Sequence, residues 1–111
     1  MAHNLKGSHW IRDERRIRIY MRDGWRCIYC REEVRRGDNR GKARYPFRLA
    51  TLDHVRYGCN KSDNLVTPCK ECNVARAQHP LERYCLTFEE PTVVLVRVFA
   101  AVAKDLPELA A

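Results

Sequence analysis

Leu52-Asp53-His54-Val55, then Asp63-Asn64-Leu65, then Cys69-Lys70-Glu71-Cys72-Asn73 set an acid–histidine pair, an asparagine ahead of apolar residues, and a Cys-x-x-Cys closed by a second asparagine. A matching pair, Cys27-Ile28-Tyr29-Cys30, lies upstream. Zinc in structural sites takes four thiolate or imidazole ligands in a tetrahedron. Two such knuckles supply four thiolates, so Cys27, Cys30, Cys69 and Cys72 read as a structural Zn²⁺ site. The gap between the pairs is longer than the usual ribbon spacing. Loop-closure entropy grows only logarithmically with length, and the insertion is where Asp53, His54 and Asn64 lie. A redox Cys-x-x-Cys, or four unrelated cysteines, is the competing reading. Cys59 and Cys85 have no matching partner and read as ordinary thiols.

Working outward, Phe47 to Val55 alternates imperfectly, with Phe47, Leu49, Leu52 and Val55 apolar, and reads as one strand. Arg56 to Asp63, with Gly58, Asn60 and Ser62, reads as a loop. Leu65-Val66-Thr67 is short and β-prone before Pro68 breaks it. A helix is expected from about Cys69 through Gln78, stopping at His79-Pro80 because the residue before proline avoids helix. Upstream, Ile17, Tyr20 and Met21 fit one face of a helix between His9 and Asp23, with Gly24 placed to end it. Arg12, Arg15, Arg16, Arg18 and Arg22 then cover its other faces, as a phosphate-tracking surface or simply a solvated one. Arg31 to Lys42 reads as an exposed loop, or a turn between short strands. Leu81 to Glu90 holds a further turn or short helix. Thr92 is expected to cap a last helix to about Leu106, ended by Pro107, although its valines suit a strand equally. The organisation is a single α+β domain: a loose leader over 1–8, a core over 9–79 and a C-terminal extension over 80–111.

The chain has 111 residues, with 21 Lys and Arg against 14 Asp and Glu, a formal net charge of +7. Arginine dominates the basic set, and its planar fork matches phosphate. A polyanionic partner follows, nucleic acid ahead of a membrane surface. No targeting segment is visible in the polar stretch Met1 to Trp10. The longest apolar run, Val93 to Ala103, is interrupted by Arg97 and too short to span a bilayer. The expectation is a soluble, cytoplasmic protein with no membrane partner, in which paired Cys-x-x-Cys binds metal rather than forming disulfides.

Taken in order, Arg22-Asp23-Gly24-x-x-Cys27-x-x-Cys30, Leu52-Asp53-His54-Val55, Asp63-Asn64-Leu65-Val66 and Cys69-x-x-Cys72-Asn73-x-x-Arg76 resemble the HNH endonuclease family in its His-Asn-Asn form. The resemblance covers residues 12 to 79. It implies a ββα-metal fold with a four-cysteine zinc site and flanking helices, and divalent-ion-dependent cleavage of DNA. By the same resemblance His54 is the general base toward water, and Asp53 and Asn73 hold the catalytic ion. Asn64 braces the loop and helps orient His54. Oxygen ligands at this second site favour Mg²⁺ or Mn²⁺ over Zn²⁺.

Residue chemistry agrees with those roles. Histidine is the side chain whose ordinary pKa suits proton abstraction near neutrality, and an ion with open positions stabilises charge on the scissile phosphate. Arg76 would share a helix face with Asn73 and reach a phosphate, or be an ordinary surface arginine. Arg15, Arg18 and Arg22 are the further nucleic-acid contacts expected. Asp53 and His54 are neighbours, however, and adjacent strand residues point to opposite faces. They can serve one phosphate only if the strand ends, twists or bulges there. The rival reading is a non-catalytic, zinc-stabilised nucleic-acid-binding module, and the apolar run Val93 to Val102 could serve a homodimer.

Overall fold

Asp13 and Glu14 at the head of DERRIRIYMR and Arg22 at its foot complement a helix dipole, and α1 spans Asp13–Arg22. The computed structural model describes residues 11–38 and 40–109, so the leader and the expected helix start at His9 lie outside the described residues. The helix ends as Gly24 suggests. Gly24 takes a positive φ of 74°, its N–H donates to the Met21 carbonyl, and the Trp25 N–H reaches back to Tyr20. Trp25 then packs its ring 5.5 Å from that of Tyr20, the apolar contact that commonly locks such a helix end.

The buried face of α1 is not the expected one. Ile19, Tyr20 and Arg22 are buried, while Ile17 and Met21 are only half-buried. Arg22 turns inward because Asp23 goes in with it: their side chains are 1% and 0% exposed, with Arg22 Nε 2.8 Å from Asp23 Oδ1. The other guanidinium nitrogens donate to the carbonyls of Ser62 (2.9 Å) and Leu65 (2.6 Å), and Asp23 Oδ2 accepts from the Thr67 N–H. Arg22 therefore does not face a phosphate backbone, as expected from sequence, but ties α1 to the strand beneath it. Removing one member of such a pair leaves a charge buried alone. Arg22→Ala should lower unfolding free energy by about 3–5 kcal/mol, read as a drop in urea midpoint at unchanged slope. A loss below about 0.5 kcal/mol, ordinary for a surface position, would refute the internal role.

The strands are all two residues long: β1 (Val34–Arg35), β2 (Arg48–Leu49), β3 (Asp53–His54) and β4 (Leu65–Val66). β1 pairs parallel with β2, and β3 antiparallel with β4, Asp53 facing Val66 and His54 facing Leu65. The single strand expected over Phe47–Val55 is thus divided. Its backbone changes partners midway: Ala50 N–H donates to Arg35, and Thr51 N–H to Pro68. Ala50 also bridges Cys69. A 3-10 turn, Ser62–Asn64, leads into β4.

Helix α2 runs Lys70–Arg76, capped by the Cys69 sulfur accepting from the Cys72 N–H, and stops at Ala77, short of the expected Gln78. Helix α3 (Leu81–Cys85) is the short helix anticipated after Pro80. Helix α4 runs Pro91–Val102. It starts one residue before Thr92 because Pro91 brings a φ already suited to a first turn, and it ends before Leu106. Both α1 and α4 pack on β4, and α3 packs on α4. Ile19, Ile28, Val34, Leu65, Val66, Leu81 and Val98 form one core, to which the segment after residue 80 belongs. The radius of gyration, 13.5 Å, matches the about 13 Å of a compact folded chain this long. The class is α+β, and no helix among the described residues is long and apolar enough to cross a membrane.

Candidate functional site

Two tight turns bring the cysteines together. In the first knuckle the N–H groups of Tyr29 and Cys30 point at Cys27 Sγ, at 3.3 and 3.4 Å; in the second, Cys72 N–H points at Cys69 Sγ at 3.3 Å. All four sulfurs lie within 4.8 Å of one another. Zinc–sulfur bonds of about 2.3 Å set tetrahedral sulfurs about 3.8 Å apart, and Cys30 and Cys69 stand 3.9 Å apart. The cluster is placed to bind a metal ion and compatible with structural zinc. Among the thiols, hydrogen bonds shared with Cys69 and Cys72, and then burial, push Cys27 far up. Cys69 is drawn far down by the bonds it shares with Cys27 and Cys72. Cys59 and Cys85 stand outside the cluster.

The first knuckle reaches the strand directly. The Tyr29 hydroxyl donates to Asp53 Oδ2 at 3.1 Å and accepts from Arg76 Nη1 at 3.2 Å. Arg76 Nη1 is also 2.8 Å from Asp53 Oδ2, with side-chain exposures of 8% and 12%. The same guanidinium donates to the carbonyls of His54 (2.6 Å), Val55 (3.2 Å) and His79 (3.1 Å). Arg76 is therefore not presented to a phosphate, as the sequence suggested. It clamps the end of β3. Burial works against its charge, but Tyr29 and Asp53 more than offset this and raise its pKa. Burial and then the Asp53 charge push the Tyr29 hydroxyl well up, so it stays a neutral donor.

Asp53, His54 and Arg76 line one cavity of about 340 Å³, whose far wall is the link from α2 to α3. The pleat alternation expected of neighbours survives. The Asp53 carboxylate and the His54 carbonyl meet Arg76, whereas the His54 ring leans to Asn60, with Nε2 2.6 Å from Oδ1. β3 ends at His54, which lets both residues border a common space.

Neither Asn64 nor Asn73 lines this cavity. Asn64 Oδ1 accepts from the Arg56 N–H at 2.8 Å, and Nδ2 donates to the carbonyls of Arg56 and Cys59, both at 2.7 Å; it braces the loop after β3. Asn73 donates from Nδ2 to Thr51 Oγ1 (3.1 Å) and the Leu52 carbonyl (3.2 Å), which leaves Oδ1 as its available donor atom. Arg15 donates to the Asn60 carbonyl, and Arg18 Nε to the Pro107 carbonyl at 2.8 Å.

Three contributors escaped the sequence reading. Tyr29 was hidden within its knuckle as a spacer, Asn60 within a loop read only for its turn residues, and Tyr57, 92% exposed, on the cavity rim. An aromatic between zinc-type cysteines was the signal available for Tyr29. No protein-family model matches the chain, and comparison with curated proteins and with solved structures finds no match either.

Proposed function

We propose that the chain is a zinc-stabilised HNH-type DNA endonuclease of the ββα-metal class, with His54 as general base. The observation that carries this reading is one continuous unit, β3 paired antiparallel with β4 and followed by α2. It places an acid–histidine pair beside a cavity and hangs that pair on a four-cysteine cluster. Zinc at Cys27, Cys30, Cys69 and Cys72 ties this unit to the first knuckle. Asp53 and Asn73 would hold a divalent ion such as Mg²⁺ or Mn²⁺, which supplies charge stabilisation for the scissile phosphate and the departing oxygen. The donor set suits it: Asp53 keeps Oδ1 clear of its bonds to Arg76 and Tyr29, and Asn73 keeps Oδ1, both hard oxygens.

His54 takes the proton of the attacking water at its ring, while Asn60 fixes the ring's orientation. Asn64 keeps the loop that carries Asn60 from collapsing onto the strand. Tyr29 and Arg76 hold the Asp53 carboxylate in its orientation. A plasmid-nicking assay with Mg²⁺, Mn²⁺ or EDTA tests the whole reading. Relaxed circles formed only with the ion support it. Intact supercoiled plasmid under every ion, by folded protein that still retards DNA, would establish the non-catalytic binding module instead. The Asp53–Arg76 ion pair is what favours that rival, since it occupies one oxygen of the supposed metal ligand.

Tyr29 distinguishes the two. Partners behind a metal ligand typically change metal affinity by about 10- to 100-fold. Tyr29→Phe should therefore raise the Mg²⁺ needed for half-maximal nicking by about that factor and leave the rate at saturating Mg²⁺ near wild type. An unchanged Mg²⁺ requirement would remove Tyr29 from the site.

A further inference from the structure

A second cavity, of about 310 Å³, opens on the other side of the first knuckle, between its turn and α4. Ile28 and Ala101 floor it, and Arg31, Arg97 and Lys104 stand around it. The acid on its wall, Asp23, is fully buried against Arg22 and already accepts from Thr67 N–H, so among the described residues lining the cavity no free carboxylate meets the three cations. Arg97 is held in place rather than trailing into solvent: its Nη1 donates to the carbonyls of Ile28 (3.0 Å) and Tyr29 (3.2 Å). Arg31 sits at a φ of 69°, a region where glycine is at ease and an arginine is not. A fixed guanidinium with two further cations around one cavity is a donor set that charge-assisted hydrogen bonds to an oxyanion would satisfy.

We propose that Arg31, Arg97 and Lys104 form an oxyanion site for a phosphate group, supplied in use by a nucleic-acid backbone. The site does not depend on whether the chain cleaves DNA; it draws on the proposed function only for the source of the phosphate. The knuckle joins the two places, since Tyr29 offers its hydroxyl to Asp53 and its carbonyl to Arg97. One bound strand could therefore be held on both sides of the first zinc turn.

Arg31→Gly, combined with Lys104→Ala, removes two cations while easing the backbone at residue 31, and leaves Arg97 to support the knuckle. Inorganic phosphate titrated into ¹⁵N-labelled full chain should shift the amides of Gly24, Arg31 and Lys104, and the double variant should lose the shifts at Gly24. Binding of a short DNA duplex without divalent ion should weaken about tenfold at low salt. Its dependence of log K on log salt should flatten by about one to two phosphate contacts. Phosphate shifts with unchanged duplex binding would assign the site to a free phosphate and reject the backbone as its source. A wild type that binds no duplex would reject that source too, leaving the phosphate titration to decide on the site. No amide shifts, together with equal duplex affinity and salt slope, would overturn the proposal.

Discussion

Cys69→Ser should abolish both metal binding and the cooperative fold. Several connections converge on Cys69. Its sulfur caps α2 and stands 3.9 Å from Cys30, and its backbone bridges Ala50 between β2 and β3. With strands only two residues long, the ladders contribute little cooperativity of their own, because isolated two-stranded pairs are marginal in water. Structural zinc contributes apparent free energies of about 10–16 kcal/mol in small finger peptides, whereas a whole domain is stable by about 5–15 kcal/mol. Loss of a structural zinc would therefore remove about as much free energy as a whole domain has. The expected results are one zinc per wild-type chain by elemental analysis, none in Cys69→Ser, and loss of the near-ultraviolet dichroism of the packed tyrosines and tryptophan. A chelator should reproduce this in wild type. Cys59→Ser, outside the cluster, should keep metal and melting temperature. A sharp thermal transition in the metal-free protein would show that the cluster is an ornament on a self-sufficient core.

What was legible in the sequence was whatever chemistry is encoded by local spacing. Each Cys-x-x-Cys announces itself within four residues, and Gly24 and Pro80 punctuate the chain where their φ preferences say they must. What stayed hidden was the partner of each charge. An arginine in a basic sequence reads as surface, and Arg22 and Arg76 became internal clamps only because Asp23, Asp53 and a row of carbonyls were waiting for them. Arg97 looked like a flaw in an apolar run. In the fold it is the tie from α4 to the knuckle carbonyls, while Val94, Val98 and Ala101 of the same helix go into the core. The strand over Phe47–Val55 was misjudged for a related reason: alternation records which side chains are buried, not which neighbour takes the backbone hydrogen bonds, and here the neighbour changes at Ala50.

His54→Ala should lower the nicking rate by about 10²–10⁴-fold, the usual contribution of a positioned general base, while leaving the zinc content and duplex affinity of wild type. The structure makes this a clean substitution. His54 supports the fold through its carbonyl, which accepts from the buried Arg76, and alanine keeps that carbonyl. The ring itself is half-buried and meets Asn60 on a loop held independently by Asn64. Stability should therefore change by no more than about 0.5 kcal/mol. Asn60→Ala, which removes only the orienting contact, should fall between wild type and His54→Ala and should be rescued in part by Asn60→Asp. Asp53→Ala should behave differently from either, because it strips Arg76 of its buried counter-charge, and its lost activity should come with lost stability. If His54→Ala nicked as fast as wild type, the base would have to be another group on the cavity, and His79 on the opposite wall would be the one to replace next. If all these variants bound DNA and none, wild type included, ever nicked it, the cavity beside β3 would be a relic of the fold and the zinc-held surface its function.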